Sequence, residues 1–191
     1  MMENRLIRIL GTTALAMLIA ATTAHAQQKV RLATSEGDIV LELERDKAPR
    51  TVENFLTYVK AGHYDGTVFH RVIPTFMVQG GGMKPDMSEK KTLSPIALES
   101  RSGLSNMRGT VAMARTGDPN SATAQFFINV VNNDFLDQPR ARDGHGYAVF
   151  GKVVQGMDVV DKIRLVPTQT TGPHQNVPVK PVLIRKASLE K

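Results

Sequence analysis

The chain has 191 residues, 41% hydrophobic and 22% charged, a composition that fits one globular domain able to bury a full core. It contains no Cys, which excludes disulfides, thiolate chemistry and a lipid-modified cysteine anchor, and it contains no Trp. The formal charge is +6, but the basic residues are scattered; the only local clusters, Lys90-Lys91 and Arg140-Ala141-Arg142, are not interleaved with aromatics, so a solvated surface is expected and nucleic-acid binding is not.

In chain order, Arg5 and Arg8 form a short basic region, and Ile9 to Ala24 is apolar or small and uncharged. Ala24-His25-Ala26 then offers an A-x-A cleavage site before Gln27. This is the pattern of a secretory signal peptide. The apolar run is 16 residues long and includes four Thr, short of the roughly 20 apolar residues that a membrane span needs. The expectation is a signal peptide over residues 1–26, cleaved near Ala26-Gln27, and a single domain over 27–191. That domain would be periplasmic or secreted, with no stable membrane association.

Lys29 to Glu44 alternates apolar Val30, Leu32, Ile39, Leu41 and Leu43 with polar residues around Ser35-Glu36-Gly37-Asp38, which predicts an antiparallel hairpin. Pro49 to Ala61 reads as a helix. Pro49 suits its first turn, Gly62 its stop, and Val52, Phe55, Leu56 and Val59 give one apolar face. Glu53, Asn54 and Lys60 are expected to face out or flank that stripe. Tyr64 to Gln79 is strand-like with a break at Pro74, and Gly80-Gly81-Gly82 permits tight or left-handed backbone. Met83 to Ser100 reads as loop. Gly109 to Met113 and Gln125 to Val131 read as short strands, separated by a turn-rich Arg115 to Ala124. Asn132-Asn133-Asp134 breaks the second strand, and Gln138 to Gly146 is a polar loop. Tyr147 to Val154 is a strand, followed by a helix near Met157 to Leu165. Pro167 to Pro181 is expected to be a loop-rich return before a closing strand at Val182-Leu183-Ile184. Many short strands, two helices and no βαβ alternation argue an antiparallel barrel or sandwich with capping helices.

The chemistry concentrates in Phe69-His70-Arg71-Val72-Ile73-Pro74-Thr75-Phe76-Met77-Val78-Gln79-Gly80-Gly81. This stretch sets one fixed cation and one neutral amide among large apolar side chains, with no Ser or Cys nucleophile. Gln125-Phe126-Phe127-Ile128-Asn129 has the same character. With Ala48-Pro49-Arg50-Thr51-Val52-Glu53-Asn54-Phe55, the lead-in Tyr64 to Val68, and Val149-Phe150-Gly151-Lys152-Val153, these segments resemble four colinear motifs of the cyclophilin-type peptidyl-prolyl cis-trans isomerases. Ser121-Ala122-Thr123-Ala124-Gln125 and the short loops resemble the family's bacterial periplasmic (cyclophilin A) branch.

The resemblance implies a mainly β fold, a closed eight-stranded antiparallel barrel with two helices over its ends, and an isomerase acting on X-Pro bonds as exported proteins fold. Such a bond has little trans preference but a barrier of about 18–20 kcal/mol, which is lost amide resonance. In the twisted transition state the nitrogen gains a lone pair and the carbonyl becomes less polar. A catalyst therefore needs a donor for that lone pair, apolar surroundings and a grip on the flanking peptide. By family match Arg71 is the donor, and its guanidinium is permanently charged and directed. Phe76, Met77, Phe127 and Leu136 match the proline pocket, and Gln79 the hydrogen bond to the substrate backbone. Ala114, Arg115 and Gln125 match the grip on the residue before proline.

His70 adjoins Arg71 and could pass for a general base, but isomerisation moves no proton to or from carbon, so a structural role is expected. A zinc site from His63, Asp65 and His70 would lack a fourth ligand, and neither metal nor cofactor is expected. Two positions depart from the best-known eukaryotic pattern. Phe135 stands where those proteins carry a Trp that contacts cyclosporin, so weak cyclosporin binding is expected. Tyr147 stands where they often have His, and can still line the pocket. Arg115 replaces a common Asn whose backbone does the binding. The expected partners are unfolded or folding proline-containing polypeptides, and the expected state is a monomer.

Overall fold

The structure, a computed structural model, describes residues 27–190. Residues 1–26, expected from the sequence to be a signal peptide, lie outside the described residues. The chain opens with strands β1 (Lys29–Thr34) and β2 (Asp38–Leu43), paired antiparallel with Lys29 opposite Glu42 and Ala33 opposite Asp38. Their alternation is the expected one, since Val30, Leu32, Ile39, Leu41 and Leu43 are all buried. Helix α1 (Pro49–Lys60) follows, with Pro49 in its first turn. Ala48 provides no side-chain cap, and the cap comes from far along the chain. Glu99 accepts from Arg50 N (3.2 Å), Thr51 N (2.8 Å) and the Thr51 hydroxyl (2.7 Å), satisfying donors that a helix start leaves open. Val52, Phe55, Leu56 and Val59 face the core, as their spacing predicts. Asn54 does not face out. It is buried and donates from Nδ2 to Thr123 O at 2.6 Å, so the helix flank is closed by a loop that periodicity alone does not reveal.

Beyond Gly62, whose φ of 65° ends the helix, Tyr64 lies in a turn and not in a strand. Its ring is fully buried against Phe55 and Phe126, and its hydroxyl donates to Ala124 O at 2.9 Å. Strands β3 (Thr67–Ile73) and β4 (Met77–Met83) break around Pro74, as predicted. Then come β5 (Thr110–Met113), β6 (Phe126–Asn129), a 3-10 turn at Asp134–Leu136, β7 (Val149–Gln155) and α2 (Met157–Arg164). Pro167 to Pro181 is not a plain loop return. It holds a separate two-stranded sheet of β8 (Thr168–Thr171) and β9 (His174–Pro178). β8 is polar and mostly exposed, and β9 is polar up to its buried Val177 and Pro178, so no alternation marks them in the sequence. The last strand, β10 (Leu183–Leu189), runs further than the apolar triplet at 182–184 because Arg185 and Lys186 point outward while Ala187 is buried.

Eight strands close in the order β1-β10-β3-β4-β6-β5-β7-β2, and every pairing is antiparallel. Closure removes free sheet edges. Side chains from all eight strands and both helices fill the interior, with Phe55, Phe69, Phe126 and Phe150 among the largest buried groups.

Buried polar groups in the barrel wall carry a pH signature. His70 on β3 is 6% exposed, and its pKa is lowered to about 4. Burial is the main cause; the nearby His174 ring and the Arg71 charge add to it, against smaller opposing effects from the Val68 backbone and Gln125. In the unfolded chain this ring takes a proton near pH 6.5. Between those values the unfolded state binds more protons, so stability is full above pH 6.5 and is lost as pH falls towards 4. The slope from this one ring is up to about 1.4 kcal/mol per pH unit. In urea denaturation from pH 7.5 to 4, His70→Gln is expected to flatten the decline; slopes identical to wild type would show that His70 does not titrate this way.

Candidate active site

Strands alternate their side chains, and here both faces of the β4–β6–β5 wall are buried. Phe126 and Ile128 point into the barrel, whereas Phe127 between them points outward. Outside the wall Phe127 joins Met77, Ala112, Leu136 and Val149 in a second apolar cluster, with Ile73, Phe76, Leu104, Ala114 and Tyr147 packed on it. Register sets who meets whom: Arg71 lies opposite Gln79, Gln79 opposite Phe127, and Phe127 opposite Ala112. The result is a cavity of about 600 Å³ with an apolar floor and a polar side.

Arg71 and nine of the ten residues expected to bind substrate, Phe76, Met77, Gln79, Ala114, Arg115, Gln125, Phe127, Leu136 and Tyr147, line this one cavity. Phe127 and Tyr147 meet edge to face at 5.7 Å. Along the polar side, Arg71 Nη1 donates to Gln79 Oε1 at 3.3 Å, and Gln79 Nε2 donates to Gln125 Oε1 at 3.0 Å. Arg71 is half-buried and makes no ion pair among the described residues, so its guanidinium keeps donors for a ligand. No carboxylate lines the cavity.

Phe135 is the exception. It is 54% exposed and stacks on Phe76 at 5.8 Å from outside the cavity, so it borders the site without lining it. His63, Asp65 and His70 do not converge on a metal site. His63 Nε2 is bound to Gly81 O and Asp65 Oδ1 accepts from Ala187 N, and no group of three or more metal-binding side chains occurs among the described residues.

Four lining positions escaped the sequence reading, one of them Met83 at the end of β4. Pro173, His174 and Gln175, around the β8–β9 turn, close the cavity beside His70. Nothing short of the topology places that hairpin there. A buried amide network was also missed, because Asn132-Asn133 reads only as a strand breaker. Asn133 Nδ2 donates to Phe76 O (2.9 Å) and Asn129 Oδ1 (2.7 Å), and Asn129 Nδ2 donates to Asn106 Oδ1 (3.2 Å). Asp137 accepts from Asn106 N and Nδ2, both at 2.8 Å. These bonds fix Phe76 and the Leu136 turn, hence the rim of the floor.

An apolar bowl beside one half-buried cation that makes no ion pair among the described residues suits a reaction that breaks no bond and develops charge on a single atom. Residues 29–189 match the family model described as cyclophilin type peptidyl-prolyl cis-trans isomerase/CLD. The chain is 60% identical over 161 residues to the peptidyl-prolyl cis-trans isomerase cyp18 of Streptomyces antibioticus, covering 84% of this chain and 97% of that protein. It is 54% identical over 185 residues to peptidyl-prolyl cis-trans isomerase A of Dickeya dadantii, covering 97% and 95%. Among solved structures, a cyclophilin type peptidyl-prolyl cis-trans isomerase of Cryptosporidium parvum, crystallised in the presence of the dipeptide Ala-Pro, matches with a TM-score of 0.74 at 26% identity, covering 86% of this chain and 99% of that one. Motifs, barrel and cavity converge with these matches: the chain belongs to the cyclophilin-type peptidyl-prolyl cis-trans isomerases.

Proposed function

We propose that the cavity is the isomerisation site and that Arg71 is its catalytic residue. The observation that carries this is the contrast between the two arginines on the cavity. Arg115 is engaged by Asp143, whereas Arg71 meets only the neutral Gln79. The proline ring sits on Phe127 among Phe76, Met77, Leu136 and Tyr147. Gln79 takes the substrate backbone, and Ala114, Arg115 and Gln125 border the residue before proline. As the amide twists, its nitrogen lone pair emerges and Arg71 donates to it. The apolar bowl disfavours the more polar planar amide. A barrier lowered by about 8 kcal/mol would correspond to about a millionfold in rate.

The test is cis-to-trans isomerisation of an Ala-Pro peptide by the purified domain. Arg71→Ala is expected to lose about 100-fold or more in kcat/KM while its circular dichroism stays unchanged. Near-normal turnover in that folded variant would remove Arg71 from the mechanism.

The biological setting proposed is the folding of exported proteins, with proline-containing unfolded or folding polypeptides as substrates. Proline isomerisation takes about 10–100 s uncatalysed and can limit folding. The support is the signal-peptide pattern over residues 1–26. The Dickeya alignment also spans 97% of this chain and so reaches into that segment, whereas the 55% match to peptidyl-prolyl cis-trans isomerase B of Escherichia coli spans 83%. The domain 27–191 would then work in the periplasm or outside the cell. The proposed state is a monomer. On fractionation of an expressing cell the chain should be recovered from the periplasm with Gln27 at its N-terminus; a chain found only in the cytoplasm and still carrying Met1 would overturn the export reading.

Weak cyclosporin binding is part of the same proposal. Phe135 offers no hydrogen-bond donor at the rim. In titrations, Phe135→Trp is expected to tighten cyclosporin binding several-fold over wild type, and tight inhibition of the wild type would refute the idea.

A further inference from the structure

We infer that Arg115 acts on the proline pocket from behind, as a positioning residue that holds the Tyr147 wall, and that Asp143 keeps its charge away from the peptide. This rests on the cavity being the isomerisation site.

Arg115 follows β5 at the rim where the residue before proline is gripped, and its neighbour Ala114 is fixed by Ala114 N donating to Gln125 O at 2.9 Å. An arginine at such a place is ordinarily a handle for acidic substrates. Here the side chain turns away and is 1% exposed. Nε and Nη2 donate to Gly146 O at 3.0 and 2.8 Å, Nη1 donates to Thr116 O at 3.0 Å, and Nη2 also pairs with Asp143. Every nitrogen of the guanidinium is therefore occupied. Its carbon lies 4.5 Å from the Tyr147 ring centroid, and Tyr147 in turn stands edge-on against Phe127, the pocket floor.

The far side of the clamp is equally built. Asp143 accepts from His145 N (3.0 Å) and Gly146 N (3.2 Å) as well as from Arg115, and Tyr147 N donates to Leu136 O at 3.0 Å. Gly146 has φ 69°, and a Cβ there would fall 2.7 Å from Leu136 O, so the loop is pressed onto the turn that carries Leu136. Arg115 thus ties two walls of the pocket together through one buried group. The Asp143 carboxyl is held well below the usual carboxylate range, chiefly by Arg115 and then by those two backbone N–H groups, so the clamp persists through mildly acidic pH. Lysine could not replace it, since a single ammonium cannot make the planar fork and stack on the ring together. Because the charge is spent inside the protein, the site should not favour an acidic residue before proline.

The experiment measures kcat and KM separately for Ala-Pro and Glu-Pro peptides, beginning with a wild type whose dependence on Arg71 is established; lack of that dependence would fail the site assignment and not the clamp. Arg115→Ala and Tyr147→Ala are each expected to raise KM about tenfold with kcat within about threefold. The double variant should be no worse than either single, because both remove one unit. Arg115→Lys should not rescue. Asp143→Asn keeps a side-chain acceptor in place but leaves the charge of Arg115 uncompensated beside the cavity, and should raise the Glu-Pro to Ala-Pro ratio of kcat/KM several-fold. Additive losses in the double variant, rescue by lysine, or a selective loss of Glu-Pro turnover in Arg115→Ala would each mean that the guanidinium contacts the peptide directly, and would overturn the proposal. An Asp143→Asn ratio equal to wild type would overturn the shielding role of Asp143.

Discussion

Burial on both faces of the β4–β6–β5 wall is the constraint on which the rest depends. A closed barrel fills its interior with one set of alternate side chains. In this chain the other set is not left to solvent but forms the floor of the cavity. Phe126 and Ile128 are interior, Phe127 is floor, and Gln79 stands beside it one strand over. A register slip of one residue would exchange floor and interior and abolish the site while keeping the composition. Core packing and site geometry are one requirement here, met by the same hydrogen-bonded ladder.

On that wall the electrostatics divide between two arginines of opposite fate. Arg115 is buried, paired and stacked, so it contributes rigidity. Arg71 is bound only to an amide and keeps its field available at the cavity. A carboxylate beside Arg71 would neutralise it, and the lining contains none. Preorganisation of this kind asks little reorganisation from the protein when the peptide bond twists. Tyr147 and Phe127 are held edge to face and the Leu136 turn is tied by amides, so the floor of the cavity is braced from two sides.

Much of this was legible in the sequence because alternation and helical spacing are local signals. The first hairpin, α1 with its apolar stripe, the break at Pro74 and α2 follow from residues within one turn or one strand of each other. The lining residues were legible only through motif resemblance, since a lone Phe or Met at a strand position looks the same in a core and in a pocket. What stayed hidden is non-local or polar. Glu99 caps a helix that starts 50 positions earlier in the chain, at Pro49. Asn54 closes against Thr123, and the β8–β9 hairpin, poor in apolar residues, reaches the cavity only because the barrel carries it there. Phe135 illustrates the converse: a motif position can match a pocket residue while the side chain stacks outside it.

The glycine run 80–82 joins these levels. Read as sequence it permits a turn, yet it lies within β4, and its role there is close approach. A Cβ on Gly81 would meet Tyr64 at 2.8 Å and Phe126 at 2.9 Å; Gly81 also has φ 88°. A Cβ on Gly82 would meet Gln125 Cγ at 2.4 Å. One missing side chain therefore lets the buried aromatics seal the barrel, and the next gives Gln125 its place beside the strand. Gln125 accepts from Gln79, which accepts from Arg71. The orientation of the Arg71 guanidinium thus depends, through two amides, on a position whose only contribution is the space it leaves.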